Sequence, residues 1–223
     1  MAPHGHRPIE LWLASANSGK LREFSEAASA RGLSLKALPA VHDLPPCIEN
    51  GLTFEDNARK KAIYYSREFA GLVFADDSGL CVDALGGAPG VFSARFAGSD
   101  ATDDANNAKL ISELHRLRGH AAGQRATEEL SGAHYACVIA LAQHGRILTL
   151  IAGNAYGTII EPPRGSGGFG YDPYFHYPPL GRTFAELAPQ AKFAVSHRGE
   201  AFRKLLDYLD QSPPLPSHGG KPT

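Results

Sequence analysis

Cysteine is scarce in this chain. Its 223 residues hold three, Cys47, Cys81 and Cys137, too few and too scattered for a disulfide scaffold or a thiolate zinc site. Basic residues are in no excess either: Lys and Arg number 22 against 23 Asp and Glu, a formal net charge of -1. A nucleic-acid backbone would find no broad cationic face, so nucleic acid is not an expected partner and any polyanion site must be local. Long apolar runs are missing as well. Residues 133–142 form one of the longest, well short of the roughly 20 that span a bilayer, so no membrane partner is expected. The opening MAPHGHRPIE lacks an apolar signal core. Together these absences predict a cytoplasmic protein in a reducing compartment.

The chain is 43% hydrophobic and 20% charged, enough apolar material for a sizeable core. The ends, 1–8 and 212–223 (SPPLPSHGGKPT), are rich in Pro, Gly and His and read as flexible tails around one domain over 9–211. Ile9–Ala14 is a short strand candidate, and the helix after it carries Leu21, Phe24 and Ala28 before a stop at Gly32. Ser34–Leu38 is another strand. Thr53-Phe54-Glu55-Asp56 has the form of an N-cap and an acidic first turn, and Phe54, Ala58, Ala62, Tyr65 and Phe69 share one stripe, predicting a helix over 53–70. LVFA at 72–75 reads as a buried strand ending in a turn at Asp76-Asp77-Ser78-Gly79. A helix from Thr102 carries Leu110, Leu114 and Leu117 to a stop at Gly119. Residues 133–142 and 146–152 flank Gln143-His144-Gly145 as a hairpin, with 157–160 extending the sheet, and a last helix spans about 198–210 with its stripe at Ala201, Phe202, Leu205, Leu206 and Leu209. The fold predicted is α/β: an elongated mixed β-sheet with flanking helices, forming two lobes around a central cleft.

Five stretches can carry chemistry, each with a plainer reading beside it. Ser15-Ala16-Asn17-Ser18-Gly19-Lys20 joins a strand to a helix and offers backbone N–H groups, a helix N-terminus and a cation for a polyphosphate. It lacks the first Gly of a Walker A loop, Leu21 replaces the metal-binding hydroxyl, and an ordinary turn with a surface Lys is the alternative. The acidic pair Asp76-Asp77 suits a divalent cation or a general base, or else a self-bonded turn. An aspartic-protease reading fails because only one Asp-Ser-Gly is present. Residues 84–98, rich in Gly and Pro, specify a backbone path from which Ser93 and Arg95 can reach a phosphate or the acidic turn; a long loop is the plain reading. In the run 165–173, glycines around Phe169 and Tyr171 leave an aromatic face open for a planar ligand, against the commoner core aromatic. Lys192 and Ser196-His197-Arg198 offer donors at the start of the last helix, where solvent-facing cations would be disfavoured by the helix dipole unless an anion is near.

Taken in order, SANSGK, GLTFEDNARKKA, ADDSGLCVDALGGAPGVFSARFAG, GGFGYDPYF and SHRGEA resemble one family, the inosine/xanthosine triphosphate pyrophosphatases of bacterial type, over about residues 9–210. The resemblance implies hydrolysis of ITP, dITP and XTP between the α- and β-phosphates, giving monophosphate and pyrophosphate, with Mg²⁺ required and a homodimer as the assembly. It implies that Ser15, Ala16, Asn17, Ser18, Gly19 and Lys20 bind the triphosphate. Asp77 becomes general base and metal ligand, with Ser78 binding substrate beside it. Asn57 and Lys61 fall on the phosphate and metal side, and Phe169, Gly170, Tyr171, Asp172, Lys192, His197 and Arg198 on the nucleoside side. Relatives carry a metal-binding carboxylate before GLTF, for which Glu49 is the candidate here. The segment 119–132 is longer than usual and is expected to be a surface loop. Two alternatives remain: a nucleotide pyrophosphatase of other base preference (dUTP or modified nucleotides), and a non-catalytic nucleotide-binding module, which the acidic pair disfavours.

Overall fold

The computed structural model describes residues 10–39, 41, 44–118 and 128–211; the predicted tails and residues 119–127 lie outside them. A seven-stranded sheet runs in the order β2-β1-β3-β4-β5-β6-β7, with β1 (Glu10–Leu13) parallel to both β2 (Ser34–Ala37) and β3 (Leu72–Val82). The other pairings are antiparallel: β3 with β4 (Glu128–Gln143), β4 with β5 (Arg146–Glu161), then β6 (Phe175–Tyr177) and β7 (Arg182–Thr183). The β4–β5 turn is two residues, His144 and Gly145, both at positive φ (51° and 74°), the geometry whose twist matches paired strands. Residues 128–132 of the expected surface loop belong to β4, paired with the end of β5.

Helices form where caps and apolar stripes coincide. Asn17 caps α1 (Ser18–Ala30) by accepting from Lys20 N–H at 3.0 Å, and Thr53 caps α2 (Phe54–Arg67) by accepting from Asp56 N–H at 3.0 Å. Helix α2 stops three residues before the predicted end, leaving Phe69 in the following turn against Trp12. Helix α3 (Asp103–Arg118) buries Leu110 and Leu114 but leaves Leu117 half exposed. A short α4 (Pro189–Val195) precedes α5 (His197–Gln211), which buries the whole predicted stripe.

The sheet has two cores along its length. At one end, α1 and α5 cover one face through Phe24, Phe74, Phe202 and Leu205, while α2 covers the other through Ala58, Ala62, Tyr65, Val73 and Ala75. At the other end, Leu80, Val82, Leu110, Tyr135, Phe175 and Phe184 form a separate cluster beneath α3. These are the two lobes. Between them β3 loses its parallel neighbour. β1 pairs only with Leu72–Phe74, while the loop after β3 closes over the strand's far half, Leu80 N–H donating to Ser93 Oγ and Val82 N–H to Ala88 O. The intervening edge opens onto the cleft at Asp77 and Ser78.

Asp76-Asp77-Ser78-Gly79 is therefore strand, not the predicted turn. Turn propensity yields because Asp76–Gly79 pair in register with Ile139–Ala136 of β4. Close packing also requires glycine at Gly153 on β5: a Cβ there would lie 2.3 Å from the His197 carbonyl oxygen and 2.5 Å from Ala201 N. The start of α5 thus rests directly on the sheet backbone. Gly153→Ala should displace that helix end and destabilise the fold by about 1–3 kcal/mol. A thermal melt should fall by a few degrees, roughly 2–4 °C per kcal/mol for a chain of this size.

Candidate functional site

A cavity of about 450 Å³ occupies the cleft. One wall is the turn after β1 and the start of α1. Ser15 Oγ accepts from Asn17 N–H at 3.2 Å, and Asn17 holds Lys20 N–H, so the loop is shaped by its own side chains. Ser15, Ala16, Asn17 and Lys20 line the cavity; Ser18 and Gly19 do not. Gly19 instead makes room for Phe169, whose ring a Cβ would meet at 3.2 Å.

Strand alternation sends the adjacent carboxylates to opposite faces of the sheet. Asp77 points toward α2, where Asn57 Nδ2 donates to its Oδ2 at 3.0 Å and Ser78 N–H donates to its Oδ1 at 3.0 Å. Asn57 also accepts from Gly51 N–H at 2.7 Å, which fixes the segment bearing Glu49. Glu49 in turn lies 2.7 Å from Lys61 Nζ. Burial raises the Asp77 carboxyl above the usual range, and Lys61, Asn57 and Lys20 only partly offset that. Burial opposes the Lys61 charge too, yet Asp76, Glu49 and Asp77 hold its pKa above the ordinary value. The result is a carboxylate with raised basicity beside a firmly charged ammonium.

Asp76 faces the other way and is fully buried. Its Oδ2 lies 2.8 Å from Lys20 Nζ and 3.9 Å from Arg198 Nε, and it accepts from Ser78 Oγ at 3.2 Å. Burial disfavours its charge, but Lys20, Arg198 and Lys61 outweigh that and hold it below the usual carboxylate range. The reading of Asp76 and Asp77 as one cation-holding pair is corrected accordingly: they do not share a face, and Asp76 serves as the counter-charge of two cations.

The residues expected on the nucleoside side converge from the loop before β6, α4 and α5. Lys192 Nζ is closed between Glu23 at 3.0 Å and Asp172 at 2.6 Å, and it does not line the cavity. Arg198 bonds Glu23 at 3.1 Å and donates to Ser78 Oγ at 3.1 Å. Asp172 also accepts from Phe169 N–H at 2.9 Å, which orients the glycine-rich loop. Phe169 is half-buried, with Lys192 Nζ 4.7 Å and Arg198 Cζ 5.0 Å from its ring centroid. Tyr171, predicted as an open aromatic, is buried: it packs in the second lobe's core and donates to Ser93 O at 2.8 Å. The glycines around it shape the turn, while the space that buries it comes from Leu80 and α3. Ser93 is likewise absorbed into structure, accepting from Leu80 N–H and donating to Gly90 O.

His197 is 2% exposed, stacks on Tyr135 at 4.7 Å with rings 7° from parallel, and lines the cavity. Neither ring nitrogen has a hydrogen-bond partner, nor does Arg198 Nε. Burial, then Arg198, Lys192 and Lys20, push the imidazole well below its ordinary pKa, so it is neutral at physiological pH. Glu23 escaped sequence reasoning altogether. The only signal for it was an imbalance: Lys192 and Arg198 needed a buried acid, and Glu23 lies one helical turn beyond Lys20.

The donor chemistry suits a hard cation. Asp77 and Glu49 both line the cavity, each with lone pairs to spare, and Mg²⁺ is commonly held by one or two carboxylates plus substrate phosphates and water. No cluster of three or more His, Cys, Asp or Glu suited to a metal occurs among the described residues.

Comparison with known proteins agrees with this geometry. The Ham1 family pattern matches residues 11–208. The dITP/XTP pyrophosphatase of Geobacillus kaustophilus is 46% identical over 202 residues, spanning 91% of this chain and 95% of that protein. That of Geobacter sulfurreducens is 45% identical over 199 residues, spanning 89% and 96%. A HAM1 protein from Coxiella burnetii, of solved structure, superposes with a TM-score of 0.77 at 40% identity, covering 92% of this chain and 100% of that one. The Staphylococcus aureus Ham1 protein gives 0.74 at 33% identity, covering 90% and 98%. The resemblance carried by the five motifs and the α/β fold predicted from the chain are both borne out. Since the match runs through both walls of the cleft and nearly all of the described chain, this protein belongs to the Ham1 family.

Proposed function

We propose that the chain hydrolyses non-standard purine nucleoside triphosphates (ITP, dITP and XTP) to the monophosphate and pyrophosphate, keeping them out of DNA and RNA. One observation carries this reading. A single cleft joins Ser15, Ala16, Asn17 and Lys20 at the start of α1, the Asp77–Asn57–Lys61–Glu49 cluster, and the buried His197, without a hydrogen-bond partner, beside Arg198. The names of the relatives support the same substrate class.

The chain's residues divide the work. Lys20 and the cavity-lining Ser15, Ala16 and Asn17 hold the phosphate chain, and Lys20 offsets charge growing on leaving pyrophosphate. Asp77, oriented by Asn57, accepts the proton of the attacking water; its raised basicity suits that role. Mg²⁺, held by Asp77 with Glu49, supplies Lewis-acid charge stabilisation when bound. At the other end, Arg198 is a donor in every state and can pair with a 6-oxo group but not with a 6-amino group. Leaving its buried Nε or His197 unpaired against the wrong base costs about 1–3 kcal/mol per group. Ser78, Asp172 and Lys192 keep Arg198 and Phe169 in place. The homodimer and the cytoplasmic setting belong to the same proposal; no helix among the described residues is long and apolar enough to cross a membrane.

A pyrophosphate-release assay over ITP, XTP, dITP, dUTP, ATP and GTP tests the reading; preference for dUTP or for the common purines would overturn it. Asp77→Asn should cut turnover of ITP at least about 100-fold. Calorimetry should still find ITP bound to the variant, and unchanged turnover would remove Asp77 as the base.

His197 gives a pH test. An unfolded imidazole titrates near ~6.5, and the folded one well below it. The unfolded chain therefore binds the extra proton first, and stability falls as pH drops below the unfolded value, with no contribution above it. NMR of the His197 ring should report an imidazole still neutral at the pH where an unfolded histidine is half charged, and a ring that charges there contradicts the burial argument.

A further inference from the structure

Among the described residues, the cations lining the cleft are committed to carboxylates, with one exception. Lys20 is 2.8 Å from Asp76, Lys61 is 2.7 Å from Glu49, and Arg198 is 3.1 Å from Glu23. Arg95 lines the same cavity, is exposed, and has no carboxylate within ion-pair distance among the described residues. Its guanidinium makes one long contact, Nη2 donating to Glu49 O at 3.5 Å, and lies 5.2 Å from the centroid of Phe92. Phe92 is itself 53% exposed, so it does not bury the charge.

The backbone that carries Arg95 is, by contrast, held on both sides. Arg95 ends a 3₁₀ turn over Gly90–Arg95. The buried Asn106 of α3 donates to Ala94 O at 3.3 Å and accepts from Ala97 N–H at 2.8 Å, bracketing the residue. Ser93 pins the preceding turn to β3. An anchored backbone thus presents a long, uncommitted guanidinium at the cleft that Ser15, Ala16, Asn17 and Lys20 also line, near its Glu49 end. A surface Arg with only a structural task would be expected to spend its fork on a carboxylate, and two are close in sequence at Asp100 and Asp103. Arg matches phosphate oxygens bidentately and stays charged at every physiological pH.

We propose that Arg95 is a ligand for the phosphate chain, contributed by the 3₁₀ turn after β3, and that it grips the terminal phosphates that leave as pyrophosphate. This rests on the pyrophosphatase reading and adds a substrate residue to it. Because Lys20 and Lys61 are partly neutralised by Asp76 and Glu49, Arg95 supplies a full charge at the leaving group. It also joins the two lobes through the substrate.

The test is isothermal titration of inorganic pyrophosphate, and separately of inosine monophosphate, into the wild-type protein, Arg95→Ala and Arg95→Lys, all with Mg²⁺. Pyrophosphate should bind Arg95→Ala roughly tenfold or more weakly, as expected for loss of a charge-assisted hydrogen bond, with Arg95→Lys between. Inosine monophosphate should bind all three proteins alike. Equal weakening of both ligands would make Arg95 a merely structural residue, and unshifted pyrophosphate affinity, or none in the wild type, would also overturn the proposal. Wild-type turnover of ITP is read in parallel. Its absence would sink the pyrophosphatase reading, whereas turnover with unshifted affinity sinks only Arg95.

Discussion

The structure depends on one buried charge network. Lys20, Lys192 and Arg198 meet Asp76, Glu23 and Asp172, three cations against three carboxylates, each with at least one partner between 2.6 and 3.1 Å. Neutrality is what makes it tolerable. A buried pair adds little net stability, but losing one partner leaves a naked charge that costs about 3–5 kcal/mol. The network ties α1 to β3, α4 and α5, and through Asp172 to the loop of Phe169. The loop proposed to face phosphate and the residues proposed to face the purine are consequently fixed relative to one another by electrostatics, across elements far apart in sequence.

Strand geometry then divides the labour between neighbours. Because successive side chains on β3 alternate faces, Asp76 enters the network while Asp77 faces Asn57 and Lys61. The same burial has opposite outcomes for the two. Asp76 sees three cations and stays ionised below the usual range; Asp77 sees less compensation and its affinity for a proton rises. One dipeptide yields a structural anchor and a basic carboxylate, a separation that no turn could impose.

Much of the scaffold was legible in the chain. The stripes of α2 and α5, the cap at Thr53, and the His144-Gly145 turn follow from local chemistry that tertiary packing did not contest. Misreadings arose where packing did contest it. Asp, Ser and Gly favour turns, but pairing with β4 made 76–79 a strand. Tyr171 stood among glycines that suggested exposure, yet its partners Leu80 and Ser93 lie some eighty to ninety positions earlier and were invisible to a local reading. The cleft residues were readable as a set of types. Which of them touch open space and which are consumed by one another was not, because that depends on pairing. Lys192 is the sharpest case, a donor by type that two carboxylates have already claimed.

What remains unpaired is therefore the informative part. Protein interiors satisfy nearly all buried polar atoms, and each exception needs a reason. Here both His197 nitrogens and Arg198 Nε lack partners beside the cavity, while Lys192, Asp172 and Glu23 around them are saturated. Their desolvation cost is borne by the folded state before any ligand arrives. A ligand that pairs with them recovers it, and one that presents the wrong edge does not, so the penalty becomes a difference between bases. His197 alone would be a poor judge, since a neutral imidazole can shift its proton and offer either a donor or an acceptor. Arg198 has no such freedom. With its other nitrogens tied to Glu23 and Ser78, the guanidinium cannot turn to avoid a mismatched amino group. Under the proposed function, selectivity in this cleft follows from the rigidity of the arginine, and that rigidity is the buried charge network acting at a distance.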